Sequence, residues 1–203
     1  MNPVSIEKAK RIYRSINNIS KKLSHTNVVI CPPFVYLKTF LGKNSKSSIQ
    51  IGAQDVFAEE EGAFTGEISP LMLKDIGVSY VIVGHSERRN KGETDEIISK
   101  KVQIVLDSAM SPILCIGEKE RDAGGNYLHF IKNQIKSSLN KVSKRNINKL
   151  IIAYEPLWAI GAKEAMNPSD IHEMSLFIKK VLADIYGHNE AVSTQVLYGG
   201  AVN

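Results

Sequence analysis

Hydrophobic residues along the 203-residue chain fall into two kinds of segment. Six short segments are almost continuously apolar and rich in β-branched residues, which is typical of strands covered on both faces of a sheet. These segments read NVVICPP, SIQIGAQ, SYVIVGHS, SPILCIG, KLIIAYEP and TQVLYGG. The pattern therefore predicts six buried strands, each separated from the next by a longer stretch.

The longer stretches carry apolar residues at spacings of three and four, as amphipathic helices do. The predicted helix faces contain Ile6, Ala9, Tyr13 and Ile16 in one helix, Ile98, Val102, Val105 and Ala109 in a second, and Leu128, Ile131, Ile135, Leu139 and Val142 in a third. Asp170 and Glu173, just after Pro168, resemble a capping box that starts another helix. Alternating strands and helices predict the α/β class, with a parallel sheet that is either doubly wound or closed into a barrel.

Composition gives a single domain over residues 1–203, with no linker and no low-complexity tract. No apolar run reaches the eighteen residues of a membrane span, and the polar N-terminus does not resemble a signal peptide, so we expect a cytoplasmic protein. The net charge of +5 favours anionic ligands, but the lysines occur in every segment, and we expect no nucleic-acid or membrane partner. Cys31 and Cys115 lie in apolar runs, which favours buried reduced thiols over a disulfide or a metal site.

Polar residues follow three of the predicted strands at the point where each strand ends. His85 follows YVIVG, Glu155 follows IIAY, and Gly199 and Gly200 follow VLY. In a parallel sheet these ends meet at one edge, where a histidine and a carboxylate can act as acid and base and glycine N–H groups can bind an anion. Each signal alone also fits a structural histidine or a simple turn. Together they predict acid–base chemistry on a phosphorylated substrate.

Five longer motifs share an order and spacing that runs the length of the chain. They are GAFTGEIS at 62–69, GHSERR at 84–89, CIGE at 115–118, AYEPLWAIG at 153–161 and YGGAV at 198–202. In this order they resemble the triosephosphate isomerase family. The resemblance implies a (β/α)₈ barrel that interconverts dihydroxyacetone phosphate and glyceraldehyde 3-phosphate through an enediolate, without a cofactor or a metal.

The resemblance also implies roles for individual residues. Glu155 corresponds to the catalytic base, His85 to the neutral electrophile at the start of a helix, and Glu87 to a carboxylate that supports the polar network around them. The remaining matches are the lid hinge at Pro156, Leu157 and Trp158, the substrate-binding positions Gly161, Gly199, Gly200 and Ala201, and Thr65 near the tip of the loop by which the family's subunits interlock.

The sequence departs from the family where catalysis is most demanding. The family's first strand, with its catalytic lysine, and everything after the seventh strand have no counterpart here, so we expect an incomplete barrel of about six strands. Lys163 replaces a glycine of the lid, which raises the cost of any lid conformation with positive φ by about 1 kcal/mol. Ala201 replaces a serine, and the segment after GHSERR is one residue shorter than usual.

These departures leave three functional alternatives. The first is a triosephosphate isomerase by ancestry with very weak or absent turnover, because losing a transition-state cation at a dry site costs several kcal/mol. The second is a non-catalytic phosphate-binding or scaffold protein on the same fold. A basic nucleic-acid binder is the third and is disfavoured, since no arginine-rich tract is present. Unpaired strand edges and the loop at 62–69 further predict a homodimer or larger homo-oligomer.

Overall fold

The sheet is parallel throughout, and its strand order follows the order of the chain. The computed structural model describes residues 2–41, 49–161 and 165–200. Its strands are β1 (Val28–Ile30), β2 (Ile49–Ala53), β3 (Tyr80–Val83), β4 (Ser111–Ile116), β5 (Ile151–Tyr154) and β6 (Gln195–Tyr198). Each strand pairs with the next in parallel register. A doubly wound sheet reverses its strand order, so this sequential order identifies an incomplete (β/α)₈ barrel, which has the form of a curled half-barrel. All six predicted strands are confirmed.

Helices surround the sheet on its outer side. The α-helices of the described residues are α1 (Ile6–Ser20), α2 (Leu37–Phe40), α3 (Pro70–Asp75), α4 (Ser86–Arg89), α5 (Asp95–Asp107), α6 (Asn126–Ser138), α7 (Pro168–Tyr186) and α8 (His188–Ser193). Short 3₁₀ helices cover Phe34–Tyr36, Lys144–Lys149 and Leu157–Ala159. The predicted helices are confirmed, although α5 and α6 end before Ala109 and Leu139. Ala109 has φ 60°, so the chain leaves the helix in a left-handed turn there.

Helix α7 starts in a different way from the sequence prediction. Its N-cap is Asn167, whose side chain accepts a hydrogen bond from the backbone N–H of Ser169 at 3.0 Å. Pro168 occupies the first helical position, where its missing N–H costs nothing and its fixed φ suits the helix. The predicted capping box of Asp170 and Glu173 is therefore wrong, because both residues already lie inside the helix.

The core lies between the sheet and the helices. Val81, Leu114 and Ile152 from three central strands are fully buried, as are Ile98 of α5 and Ile131 of α6. This shared burial explains why the strands read as continuous apolar runs while the helices show apolar faces.

The two cysteines lie close to this core. Cys115 is buried, Cys31 is half-buried, and neither forms a disulfide with a residue in the described ranges. Burial raises the pKa of the Cys31 thiol to about 12, so the thiol stays protonated at neutral pH.

Parallel pairing brings the C-terminal ends of the strands to one edge of the half-barrel. The segments that follow β3, β4, β5 and β6 therefore converge there, as predicted. At the sides of the sheet, β1 and β6 each pair with one neighbour among the described strands. In the described parts of the chain, no helix combines the length and apolar character needed to cross a membrane.

Candidate active site

His85 and Glu155 face each other at the C-terminal edge of the sheet. His85 follows β3 by two residues, and Glu155 directly follows β5. The Nε2 atom of His85 lies 3.8 Å from Oε2 of Glu155. The structure thus brings together the two residues that the sequence predicts as electrophile and base, although they are 70 positions apart.

The position of His85 at the start of α4 defines which ring nitrogen can donate. His85 is the N-cap of α4, and its Nδ1 accepts a hydrogen bond from the backbone N–H of Glu87 at 3.3 Å. Because Nδ1 is an acceptor, the neutral ring carries its proton on Nε2. That N–H is the one on the side of Glu155, so the ring can donate to a substrate oxygen placed beside the carboxylate.

Glu155 is a half-buried carboxylate with few partners. Burial raises the pKa of its carboxyl group, and the nearby His85 partly offsets this effect. Its Oε1 accepts a hydrogen bond from the Cys115 thiol at 3.3 Å. Its Oε2 is buried and has no hydrogen-bond partner among the described residues. A raised pKa and an unpartnered oxygen are typical of a base that is ready to take a proton.

Two glycines fix the place of Glu155 by their lack of side chains. A Cβ atom at Gly117 would lie 1.8 Å from the backbone oxygen of Glu155, and a Cβ at Gly199 would lie 2.8 Å from its Cγ. Neither distance is possible for a real side chain. The ends of β4 and β6 can therefore close around Glu155 only because both positions are glycine.

A cluster of polar residues lies behind the segment that follows Glu155, and we call it the Glu118 cluster. The buried Glu118 carboxylate accepts hydrogen bonds at Oε1 from the Tyr154 hydroxyl at 2.8 Å, Trp158 Nε1 at 3.0 Å and Arg121 Nε at 3.1 Å. Arg121 also lies over the rings of Tyr127 and Trp158. Trp158 is one of the predicted hinge residues, and this bond ties it to the end of β4.

A second cluster lies on the His85 side of the site, and we call it the Lys101 cluster. The buried ammonium of Lys101 contacts Asp55 at 2.7 Å and Glu93 at 2.5 Å. Arg88 contacts the same two carboxylates, at 2.7 Å and 3.3 Å. Arg88 belongs to α4, so this cluster connects the helix that begins at His85 to α5 and to the loop after β2.

A wide cavity of about 1170 Å³ lies along the inner face of the half-barrel and contains both His85 and Glu155 in its wall. Arg88 and Lys91 are cations of the described chain that line it. A smaller cavity of about 360 Å³ lies behind Glu155, between Arg89 and Gln134. Of these two cavities, the wide one is shared by His85 and Glu155, which makes it the candidate binding site.

The other predicted site residues are placed as follows. Glu87 contributes its backbone N–H to His85, while its exposed carboxylate makes no ion pair with a described residue. Pro156 precedes the 3₁₀ helix that holds Leu157 and Trp158. Gly161 is exposed and has φ 74°. Gly199 packs against Glu155, and Gly200 is the last described residue. Thr65 lies in an exposed loop. Ala201 and Lys163 lie outside the described residues.

Several residues around the site were not predicted from sequence. Cys115 was predicted as a buried thiol and not as a hydrogen-bond donor to Glu155, and the clusters of Glu118 and Lys101 were not predicted at all. Their only signal is that Cys115, Glu118 and Arg88 lie within the quoted motifs. Spacing along the chain does not show which side chains meet across strands. Among the described residues, no group of three or more His, Cys, Asp or Glu side chains is arranged to hold a metal ion.

Comparisons with known proteins agree with this geometry. A sequence model of the family described as triosephosphate isomerase matches residues 1–203. The chain is 41% identical over 187 residues to the triosephosphate isomerase of Dictyoglomus thermophilum, covering 91% of this chain and 75% of that protein. It is 45% identical to the triosephosphate isomerase of Roseiflexus castenholzii, covering 86% of this chain and 70% of that protein. It is also 45% identical to the triosephosphate isomerase of Thermoanaerobacter pseudethanolicus, covering 89% of this chain and 74% of that protein. The half-barrel with His85 and Glu155 at its C-terminal edge thus belongs to the triosephosphate isomerase family.

Proposed function

We propose that the site interconverts dihydroxyacetone phosphate and glyceraldehyde 3-phosphate, with Glu155 as the base and His85 as the electrophile. The observation that carries the proposal is the placement of Nε2 of His85 3.8 Å from the buried, unpartnered Oε2 of Glu155. A substrate that lies against this pair can direct its carbonyl oxygen towards Nε2 and the neighbouring carbon towards the carboxylate. Family membership supports the same assignment.

The geometry supports a proton transfer in two steps. Glu155 takes the proton from the carbon next to the carbonyl, and the electron pair of that C–H bond forms the enediolate. The N–H of His85 stabilises the negative charge that develops on the oxygen. Glu155 then returns the proton to the neighbouring carbon, while the oxygen protons exchange through the His85 ring, so that the product is an isomer of the substrate.

Charges at the cavity wall suit a phosphorylated substrate. Lys91 lines the cavity and forms no ion pair with a described residue, so its ammonium is available to an anion. Gly161 has φ 74°, and no described atom lies within 4 Å of the place that a Cβ would take, so it can present its backbone N–H in the same way. We infer that these groups contact the phosphate, together with the backbone N–H of Gly200. The N–H of Gly199 already donates to the Tyr154 oxygen at 2.8 Å, so Gly199 would contribute through its lack of a side chain.

We further propose that the 203-residue chain on its own turns over very slowly. Among the described residues, His85 is the group that forms an ion pair with Glu155, and no lysine or arginine does. We infer that His85 is the main group that stabilises the enediolate charge. Leu197 on β6 is 48% exposed beside the cavity, and water in this open wall weakens the electrostatic stabilisation that a closed site provides. A single missing oxyanion donor already costs a factor of about 10² to 10³.

A coupled assay with glyceraldehyde 3-phosphate tests both proposals. We expect turnover orders of magnitude below that of a complete barrel assayed in parallel, and we expect Glu155→Gln and His85→Ala to remove what remains. The matched control is Glu120→Gln, an exposed carboxylate outside the cavity, which should leave the rate unchanged. A rate equal to that of the complete barrel would refute slow turnover, and a rate that survives both substitutions would refute the assigned roles.

The second function supported by the cavity is phosphate binding without catalysis, and the Lys91 ammonium at its wall favours it. Isothermal titration with a non-reactive phosphorylated triose analogue separates the two functions. Binding that Lys91→Ala weakens about 2- to 5-fold, together with no turnover, would establish the non-catalytic function. Turnover that is lost in Glu155→Gln while binding of the analogue persists would favour the enzyme.

Assembly into a homodimer or larger homo-oligomer is also part of the proposal. In the loop at 62–69, Phe64 is 44% exposed and packs against Phe57 with ring centroids 4.6 Å apart, and Thr65 is exposed near the tip. The loop is braced at its base, since the backbone N–H of Phe57 donates to the Ile68 oxygen at 2.8 Å. A braced loop with an exposed aromatic residue suits a docking role. The free edges of β1 and β6 offer a second surface for association.

Light scattering over a wide dilution range tests the assembly. We expect a mass above that of one chain at micromolar concentration, and we expect Thr65→Arg to reduce it. Ser15→Arg on the exposed face of α1 introduces the same side chain away from the loop and should have no effect. A single-chain mass for the unsubstituted protein would refute the proposal.

A further inference from the structure

Arg89 links the two sides of the site through three hydrogen bonds. Its Nε donates to the backbone oxygen of Gly84 at 2.7 Å, and its Nη2 donates to the backbone oxygen of Cys115 at 3.3 Å. Its Nη1 donates to Oδ1 of Asp95 at 2.6 Å. One guanidinium group therefore spans the ends of β3 and β4 and is held in place by a carboxylate of α5.

Both carbonyl groups are one step away from a reacting side chain. Gly84 directly precedes His85 in the chain. Cys115 donates its thiol proton to Oε1 of Glu155 at 3.3 Å. A movement of either carbonyl relative to the other changes the place of His85 relative to Glu155.

The backbone at Gly84 is shaped for this contact. Gly84 has φ 72°, a conformation that favours glycine, and a Cβ atom there would lie 3.0 Å from Nη2 of Arg89. The guanidinium thus lies directly against the chain that leads into His85. Any larger residue at position 84 would push the two apart.

From these contacts we propose that Arg89 is a positioning residue that sets the separation of His85 and Glu155. The inference rests on the proposed function of those two residues. Arginine suits the task because its planar fork presents several N–H donors in fixed directions, whereas a lysine ammonium is a single point donor on a flexible stem. Precise spacing matters because a misplacement of about 1 Å can cost a factor of about 10² in rate.

The neighbouring Arg88, which also belongs to α4, has different contacts from those of Arg89. Arg88 contacts the side chains of Asp55 and Glu93 in the Lys101 cluster. Neither of these carboxylates is bonded to the end of β4 or to Glu155 in the described structure. Arg88 therefore stabilises α4 from the far side, and it is the matched control for Arg89.

Kinetics of three variants test the proposal. For Arg89→Gln we expect a kcat about 10²-fold lower per folded molecule with KM within 2-fold, and for Arg89→Lys, which keeps the charge and one donor, a loss of about 10-fold. Arg88→Gln should leave kcat per folded molecule within 2-fold, because it contacts neither strand end. The folded fraction is taken from circular dichroism, so that a loss of stability alone does not lower the corrected kcat. Equal losses in Arg88→Gln and Arg89→Gln, or no loss in either Arg89 variant, would overturn the proposal.

Crystal structures of the same variants provide a measurement that does not depend on turnover. In Arg89→Gln or, should it not fold, Arg89→Lys, we expect the distance from His85 Nε2 to Glu155 Oε2 to change by about 1 Å, with no change in Arg88→Gln. An unchanged distance in the Arg89 variant would overturn the positioning role. Absent turnover in the unsubstituted chain would refute the proposed enzymatic function while leaving this structural test intact.

Discussion

The Lys101 cluster and the Glu118 cluster flank the same site but are built differently. The Lys101 cluster consists of charged groups only, two cations and two carboxylates, and its lysine is 4% exposed. The Glu118 cluster has one buried carboxylate oxygen that accepts from a hydroxyl, an indole and a guanidinium. Removing one cation from the Lys101 cluster leaves a buried negative charge without compensation. Removing one donor from the Glu118 cluster leaves the Glu118 carboxylate with its two other donors.

This difference matches what each cluster supports. The Lys101 cluster holds α4, whose N-cap is His85. The Glu118 cluster holds Trp158, in the segment after Glu155 for which the family resemblance predicts a lid hinge. We infer that a cluster with replaceable donors suits a segment that moves, and a closed group of charges suits one that stays fixed.

The largest expected effect tests the fixed side. Lys101→Met should lower the free energy of unfolding by about 3 to 5 kcal/mol, because Asp55 and Glu93 lose a buried cation. Urea unfolding at pH 7 measures the change. Lys100→Met removes an exposed ammonium one position away and should change the free energy of unfolding by less than about 0.5 kcal/mol. Similar effects of the two substitutions would show that the buried charges are not coupled as described.

A smaller effect is expected at the Glu118 cluster. Trp158→Phe removes the indole donor to Glu118 while the Tyr154 and Arg121 donors remain, so the free energy of unfolding should fall by only about 1 kcal/mol. Tyr127→Phe, which keeps the ring beside Arg121, is the control and should change the free energy of unfolding by less than about 0.5 kcal/mol. A loss for Trp158→Phe as large as that for Lys101→Met would remove the distinction between the clusters.

The smallest effect concerns Glu155 itself and depends on pH. Burial raises the pKa of this carboxyl above its ordinary value of about 4.5, so the folded protein holds the proton more tightly than the unfolded chain. Its contribution to stability is therefore lost as the pH rises from about 4.5 through the raised pKa. Glu155→Gln should match the unsubstituted protein in thermal unfolding at pH 4 and exceed it slightly at pH 7.

Glu120→Gln is the control for that measurement, since its carboxylate is exposed and should show no pH-dependent gain. If the unsubstituted protein were the more stable at pH 7, attraction between His85 and Glu155 would outweigh the cost of burying the carboxylate. Burial would then not be the dominant influence on the base.

The sequence was sufficient to predict the strands, because each buried strand is a continuous apolar run whatever its neighbours are. It also predicted that His85 and Glu155 share an edge, since parallel pairing brings strand ends together. It could not predict that the Cys115 thiol reaches Glu155 or that Arg89 spans β3 and β4. Those contacts depend on side-chain directions and on distances between strands, which no spacing along the chain encodes. The failed capping box at Asp170 has a local cause, because Asn167 and Pro168 form a better start one turn earlier.

The sequential strand order has a consequence for how the protein forms. Each of the six described strands pairs with the strand that precedes or follows it in the chain, so each of these pairings closes a loop of one helical unit only. Loop-closure entropy therefore stays nearly constant from one addition to the next, and no pairing has to wait for a distant segment to be synthesised. The half-barrel can consequently grow one unit at a time behind the ribosome. The end of β3, beside His85, can therefore form before Glu155 is synthesised.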